Sequence, residues 1–343
     1  MEASSNMHRR QLLKASLATG GLALGGLISV DALAADKAEI KMQLGWIAGG
    51  NQIGEVVAKR LGYYEQEGVD FSIIPGGPNV DGVAVVAAGR QEVGQVSSSP
   101  SIMLAVSQGL PVQCFAIGAQ RHPYCFFSLE KKPVRKPADF VGKKVGIQST
   151  GVVLLRALLA KNDIPEKEVN IIPIGADMSP LLNGQVDVVT GWLTNTTALK
   201  VLGKERVDLS LWDSGVKLYA LPYYATPDTL KKNGKAIAGF VRATAKGWHY
   251  AQANRDQSVD MLIKEYPNLV RADEREALDV MLAYAFTDTT QAQGWGTMDP
   301  AIWQDQISMY SQLKQFTAKT PKLEDVMTMD VLKATAAARM AKA

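Results

Sequence analysis

The chain has 343 residues, a formal net charge of +3, 47% apolar residues and 21% charged ones. That balance belongs to a folded chain of one large domain or two ordinary ones, and it excludes a disordered segment. No long basic run occurs, so no nucleic-acid partner is expected, because phosphate binding needs a concentrated Lys/Arg stripe.

The N-terminus is read apart from the fold. Arg9-Arg10 followed by Gln11-Leu12-Leu13-Lys14 resembles a twin-arginine export signal, a Gly-rich apolar stretch runs from Ala15 to Val30, and Ala32-Leu33-Ala34 is an A-x-A cleavage site. The stretch is too short and Gly-rich to span a bilayer well. Residues 1–34 are therefore expected to be removed, leaving a mature chain of about +2 with no cysteine near the cleavage site to carry a lipid. The expectation is a soluble protein free in a periplasm. The two cysteines, Cys114 and Cys125, either form a bridge there or lie as buried thiols on neighbouring strands; spacing does not decide between them.

Strand and helix signals alternate along the mature chain. EIKMQLGW (39–46) reads as a strand, after which Ile53, Val56, Val57 and Leu61 recur near helical spacing. FSIIPGG (71–77), a helix near 79–88, the strand VGQVSS (93–98), a helix opened by Ser99-Pro100 and the strand VQCFAIGA (112–119) complete a first α/β unit. Beyond the polar, Pro-bearing 130–142 lies a smaller unit, with strands at 143–148, 170–175, 186–192 and 207–213 and helices at 152–162, from Pro180, and at 196–203. LYALPYYAT (218–226) reads as a return strand, and 235–253, 257–266, 272–286, 299–316 and 323–341 have helical spacing. The pattern predicts an α/β protein of two lobes, each a mostly parallel sheet flanked by helices. Residues 35–124 with 222–343 form the first lobe and 125–221 the second, hinged near 121–130 and 216–226, with the helical tail covering the first lobe.

Chemistry is hard to find. Only His122 and His249 survive signal removal and neither CxxC nor HExxH occurs, so no metal site is expected. GIQSTG (146–151) is not a nucleophile elbow, and IIPGGP lacks the Lys-Ser/Thr ending of a phosphate loop. No cofactor and no catalysis are expected.

What recurs is a junction between a strand C-terminus and a helix N-terminus: Trp46 to Gln52, Ser97-Ser98-Ser99, Gln148-Ser149-Thr150-Gly151, and Gly191 to Asn195. Free backbone N–H groups gather at such places, and open parallel sheets bind ligands outside their strand ends. Two junctions fall in each lobe, so facing lobes would line one cleft. Ser99 and Asn195 are equally explained as helix caps, and the tryptophans as core or rim aromatics. A tryptophan at equivalent places in both lobes also suits a sandwich around a flat ligand. The candidate contacts are Trp46 and Trp192 as walls, with Asn51, Gln52, Ser98, Gln148, Ser149 and Asn195 reading a polar edge. Arg121 either meets an anionic group or forms a surface or hinge ion pair; Asp213 and Tyr219 lie near the second crossing, within reach of the cleft.

LGW-x4-N-x2-G-x2-VAK-x2-GYYE-x-EGVD-x5-GGP (44–78), GKKVGIQ (142–148), PLLNGQVDVVTGW-x2-N (180–195) and LYALPYYAT (218–226) together resemble periplasmic solute-binding proteins of the thiamine-pyrimidine type. These serve ATP-binding-cassette (ABC) importers, and the wider group includes binders of riboflavin, taurine, sulfonates and nitrate. The resemblance implies a hinged periplasmic-binding-protein fold of type II that closes over a small molecule, as a monomer, and docks on a membrane permease. Trp46 matches the family's tryptophan after its first strand, and Asn51 the asparagine in the following loop. Two departures concern the ligand. Binders of thiamine precursors tend to have Asp before that tryptophan, here Gly45, and Glu after the asparagine of the later junction, here Thr196 after Asn195. That glutamate would receive the amino group of an aminopyrimidine. Fungal-type synthases of the same superfamily use a first-loop histidine and a cysteine cluster; the histidine position is Gln52 here and no cysteine cluster exists. The expectation is therefore an importer's binding protein for a flat, pyrimidine-like heteroaromatic. The alternatives are a small anion such as a sulfonate or nitrate as ligand, and a synthase-like enzyme.

Overall fold

The computed structural model describes residues 37–77, 80–175 and 177–340. The expected export signal, residues 1–34, lies outside them.

The first sheet starts from three parallel strands in the order β2-β1-β3: β1 (Ala38–Leu44), β2 (Val69–Ile74) and β3 (Val93–Gln95). The far edge is β4 (Gln113–Ala119), and between β3 and β4 lies β10 (Ala220–Ala225), antiparallel to both. The second sheet repeats the plan. Its parallel strands are β7 (Asn170–Pro173), β6 (Lys144–Ile147) and β8 (Val188–Trp192); β5 (Tyr124–Leu129) lies antiparallel between β8 and the edge strand β9 (Arg206–Ser210). Each sheet thus takes its fourth strand from the segment that has just crossed from the other lobe.

Among the described residues seven helices reach eight residues: α1 (Ile53–Arg60), α2 (Ser99–Ser107), α3 (Val152–Lys161), α4 (Gly234–Ala253), α5 (Arg255–Glu265), α6 (Arg271–Ala285) and α7 (Pro300–Gln312). The order of strands and helices follows the sequence pattern, with three differences. β5 is a strand where the sequence suggested only a hinge; YCFFSL is buried at every position, so it shows no alternation to read. The helix expected over 299–316 ends at Gln312, and Lys314 takes a left-handed φ of 52°. The helix expected over 323–341 is broken into Leu323–Val326, Asp330–Ala334 and Ala336–Met340. It breaks where Met327 pairs in parallel with Cys114 of β4 and the Thr328 N–H donates to the Cys114 carbonyl at 2.9 Å. The tail so covers a sheet edge that would otherwise stand open.

Two glycines set how α1 sits on the core. A Cβ on Gly247 would lie 2.1 Å from the Gly54 carbonyl oxygen, and one on Gly54 would lie 2.2 Å from Trp248. α1 and α4 therefore touch backbone to backbone, with the Trp248 indole laid against α1 and stacked on Trp295 at 6.2 Å between centroids. This contact holds the start of α1, and with it the Asn51-Gln52 turn, against the first sheet.

Cys114 and Cys125 are both buried and unbridged. They occupy different sheets rather than neighbouring strands, and Cys114 Sγ lies 3.5 Å from Met298 Sδ. Burial pushes both thiols far above the usual thiol range. The native protein is expected to be inert to a chromogenic disulfide reagent at pH 8, and both thiols to react once it is unfolded in guanidinium. Reaction of either cysteine in the native state would contradict this burial.

Candidate ligand-binding site

The parallel strands of both sheets end at one gap, together with the starts of β5 and β10. In it lies a cavity of about 250 Å³. The first lobe contributes Leu44 to Ile47, Asn51, Gln52, and Gln95 to Ser98; the second contributes Gln148, Thr150, Thr190 to Trp192, and Asn195; the two crossings contribute His122 with Tyr124, and Leu221. Among the described residues that line it there is no Lys, Arg, Asp or Glu.

Local backbone contacts explain why Trp46 is presented here. The Gly45 N–H donates to the Gln95 carbonyl at 2.8 Å, and the Gly76 N–H donates to the Trp46 carbonyl at 2.9 Å. Gly76 allows that approach because a Cβ would sit 2.1 Å from the Leu44 oxygen. The loop is pinned on both sides, and the indole stands at the cavity mouth, 45% exposed.

Seven of the ten residues singled out from sequence line this cavity: Trp46, Asn51, Gln52, Ser98, Gln148, Trp192 and Asn195. Three do not. Ser149 lies beside the cavity in a short 3-10 turn and is exposed. Arg121 is exposed and sits over the Trp212 ring, 5.9 Å from its centroid. Tyr219 is core: it packs against Trp303 at 5.9 Å between centroids, and its hydroxyl accepts the Asp299 N–H at 2.9 Å. Ser99, read as a cap or a contact, is neither. Its hydroxyl donates to Gln306 Oε1 at 2.6 Å and accepts the Tyr219 N–H, tying α2 to α7 and to the chain before β10. Sequence reasoning passed over Gln95, Tyr124 and Thr190, and weighed His122 only as a metal ligand.

Inside the first lobe a line of side chains runs from the cavity into the core. Gln52 Oε1 accepts the Gly49 N–H at 3.0 Å, and Gln52 Nε2 donates to Gln95 Oε1 at 2.8 Å. Gln95 Nε2 donates to Glu55 Oε1 at 2.8 Å, which also accepts the Tyr223 hydroxyl at 2.5 Å. Glu55 has no accessible surface. Burial pushes its carboxyl up to about 7 against the opposing hydrogen bond from Tyr223. At the first crossing His122 is buried and neutral, its imidazole pulled down to about 3 by loss of water. The Tyr124 N–H donates to its Nδ1 at 3.2 Å, which places the ring hydrogen on Nε2. Its ring meets Trp192 edge to face at 5.2 Å between centroids.

Beside the cavity the two lobes are tied directly. Thr194 Oγ1 donates to Asn51 Oδ1 at 3.4 Å, and Thr196 Oγ1 donates to the Asp273 carbonyl at 2.9 Å. The Asp273 carboxylate, at the start of α6, also takes Lys200 and the Thr197 hydroxyl of the second lobe, and these partners hold it below the usual carboxylate range.

Comparison with known proteins places this arrangement. Residues 50–258 match the NMT1/THI5-like family. The chain belongs to that family. A formylaminopyrimidine-binding protein of Halalkalibacterium halodurans is 25% identical over 281 residues, covering 78% of this chain and 83% of that one. The riboflavin-binding protein RibY of Chloroflexus aurantiacus is 26% identical over 260 residues, covering 72% and 73%. Some other relatives carry the name of a pyrimidine phosphate synthase. Among solved structures, the periplasmic aliphatic sulphonate binding protein SsuA of Escherichia coli superposes with a TM-score of 0.67 at 16% identity, covering 86% of this chain and 99% of that one. The fold is thus the two-lobe periplasmic-binding-protein fold. No group of three or more His, Cys, Asp or Glu among the described residues is placed to hold a metal ion, and no helix among them is long and apolar enough to cross a membrane.

Two of the buried titratable groups, Glu55 and His122, act on opposite limbs of the pH–stability curve. Glu55 has its folded value raised from 4.5 to about 7, so its contribution is full below about 4.5 and is lost as pH rises through 7, a change of about 3 kcal/mol. His122 has its folded value lowered from 6.5 to about 3, so its contribution is full above 6.5 and is lost as pH falls. The melting temperature is expected to peak at about pH 5 to 6. Glu55→Gln is expected to flatten the alkaline limb and His122→Asn the acid limb; an unchanged profile in either variant would refute the assignment.

Proposed function

We propose that this protein is the substrate-binding component of an ABC importer, which captures a neutral, flat heteroaromatic solute in the interlobe cavity and hands it to a membrane permease. The observation that carries this reading is the cavity's composition: two indoles, amides and hydroxyls, with no charged side chain among the described lining residues. An anion or cation would lose its hydration there without a counter-ion, whereas an uncharged ring loses little and gains from indole contact. Each aromatic contact adds roughly 0.5–1.5 kcal/mol beyond burial, and hydrogen bonds in a dry cleft supply the rest of the roughly 8 kcal/mol that micromolar affinity needs.

The relatives named for formylaminopyrimidine and riboflavin binding support a heteroaromatic ligand. The reading includes a periplasmic location, a monomer, and binding without turnover; Gln52 stands where a synthase would need its sacrificial histidine. Closure is the mechanism. A ligand touching both lobes adds its contacts to the Asn51–Thr194 and Asp273–Lys200 ties, and so favours the closed state by its differential affinity alone.

One observation favours the anion alternative. α2 and α3 both begin at the cavity, at Ser98 and next to Gly151, and helix N-termini attract negative charge. A thermal-shift panel separates the readings. Neutral pyrimidines, purines and isoalloxazine-type rings are expected to stabilise the protein, by about 5 °C or more at a hundredfold excess over Kd. Stabilisation by sulfonates, nitrate or carboxylates alone would reject the neutral-ring reading.

Trp46→Ala is expected to abolish the ligand-induced shift while moving the apo melting temperature by only a few degrees, since the indole is a rim residue. Collapse of the apo fold would show that Trp46 is structural. Asp273→Asn removes a closed-state tie without touching the ligand. It is expected to weaken binding by about two- to fivefold, and small-angle scattering should show a more open ligand-free protein. Unchanged affinity would remove Asp273 from the closure mechanism.

A further inference from the structure

Glu55 is a carboxyl group with no accessible surface on the cavity-side helix α1. Among the described residues no Lys, Arg or His makes an ion pair with it. Its Oε1 accepts from Gln95 and Tyr223, and the indole N–H of Trp248, outside ideal hydrogen-bond geometry, lies close enough to the carboxyl to favour its charged form slightly. Such a group is costly to bury, and nothing in the packing of α1 requires it: Gly54 and Gly247 already seat the helix on α4.

What Glu55 does is visible in the direction of the hydrogen bonds. A side-chain amide has a donor end and an acceptor end, and can flip unless its neighbours forbid it. At one end of the line the Gly49 N–H can only donate, so it fixes Gln52 with its oxygen turned inward. At the other end Glu55 Oε1 accepts, so it fixes Gln95 with its nitrogen toward the core. Between them Gln52 Nε2 gives to Gln95 Oε1. Both amide oxygens are thereby engaged within the line. Each Nε2 has a second N–H that the line does not use, and both side chains line the cavity.

We propose that Glu55 is a positioning residue that holds Gln95, and through it Gln52, in this direction, so that the first lobe offers the unused Gln52 N–H to the ligand, and that the solute accordingly carries a carbonyl oxygen or ring-nitrogen acceptor on that edge. The inference rests on the reading of the cavity as a site for a neutral heteroaromatic, and it narrows the class to acceptor-bearing rings, with oxo-substituted rings preferred over their amino-substituted counterparts. An amino group placed there would face N–H against N–H, leaving both unpaired in a dry site, a loss that discriminates by roughly tenfold or more.

The titratable groups around Glu55 are tyrosines: Tyr223 in contact from β10, with Tyr64 and Tyr266 acting on it from further off, and all three are pushed up by burial. Glu55 is therefore the one group in this neighbourhood whose ionisation is expected near neutral pH.

The test has a ligand-free arm and a binding arm. In the first, side-chain amide resonances of Gln52 and Gln95 are followed by ¹⁵N NMR in the full-length mature protein. In the wild type both are expected to titrate together with a midpoint near the Glu55 value, about 7. In Glu55→Gln, which keeps an accepting oxygen, the titration should vanish with both resonances still protected from exchange; in Glu55→Met the Gln95 amide should lose that protection and the Gln52 amide, still tied to Gly49, should shift. Resonances indifferent to Glu55→Met would overturn the relay. In the second arm, Kd values are compared at pH 8.5 for uracil against 2,4-diaminopyrimidine and hypoxanthine against adenine, with benzenesulfonate as the anion control. The wild type and Glu55→Gln are expected to prefer the oxo member by roughly tenfold or more, and Glu55→Met, folded by circular dichroism, to fall within about threefold of no preference. A wild-type preference for the amino member, or an undiminished preference in Glu55→Met, would overturn the proposal while leaving the neutral-ring reading standing. Binding of benzenesulfonate alone would overturn the neutral-ring reading and with it the acceptor-bearing class of solute.

Discussion

The arrangement depends on two strands that each sheet borrows at its crossing. β5 and β10 fill the fourth places of sheets whose other strands run the opposite way. Because they are antiparallel, their starts lie beside the ends of β8 and β3, at the gap where parallel strands finish. Tyr124 pairs with Trp192, and the Leu221 N–H donates to the Ser97 carbonyl at 3.2 Å. The segments that join the lobes are therefore also walls of the cavity: His122 and Tyr124 at one crossing, Leu221 at the other. Leu221 holds a left-handed φ of 53° just before Pro222, a conformation that costs of order 1–3 kcal/mol and persists only where the surroundings impose it. A rotation of one lobe on the other must pass through these residues. On the proposed reading, closure and the shape of the cavity are thus set by the same few dihedral angles, which would link ligand contact to lobe position without a separate transmitting element.

Charge is distributed to match. The cavity interior is uncharged among its described lining residues, while the ion pair that ties the lobes, Asp273 with Lys200, lies beside it with the lysine half exposed. Water screens that pair, so it contributes little by itself and is readily broken when the lobes open. A charge inside the cavity would be strong when closed and costly to leave unpaired when empty. On the proposed closure mechanism, the separation keeps the empty closed form from being too stable, so that the ligand's own contacts decide the equilibrium.

Much of this was legible in the sequence because one rule, that ligands of parallel sheets sit beyond strand ends, needs only strand boundaries. It selected Trp46, Asn51, Gln52, Ser98, Gln148, Trp192 and Asn195. It does not give side-chain direction, and the residues it misjudged are those where direction decides: Tyr219 turns into the core beneath Trp303, Arg121 lies over Trp212, and Ser149 is exposed outside the lining that its neighbours Gln148 and Thr150 join. β5 was unreadable as a strand because burial on both faces erases the period of two, and with it went His122, Tyr124 and the strand pairing that brings them beside Trp192. The tail after Leu323 has helical spacing, but its backbone is drawn off to cover the edge of β4, a demand that exists only once the sheet is assembled. Glu55 did carry a local signal. It stands among Ile53, Val56 and Val57 on a helix whose N-terminal half is buried, where a carboxylate is out of place.

That misfit is informative when set against the other buried carboxylate. Asp273 is also nearly inaccessible, but Lys200 and the Thr197 hydroxyl answer its carboxylate, and its proton is held less tightly than usual as a result. Glu55 has no cation partner among the described residues, is held neutral up to about 7, and so leaves the fold less stable above that pH than an apolar residue of its size would. A cost of this kind is expected where a direction must be enforced rather than a contact made. An apolar residue at this position would pack as well but would leave Gln95 free to turn, and the donor line would be set only from Gly49. With Glu55 present the line is fixed from both ends. If Trp46 and Trp192 stack the solute as proposed, their faces accept any flat ring of suitable size, so the discrimination among rings lies in the Gln95–Gln52 line, and the buried acid is what gives it a sense of direction.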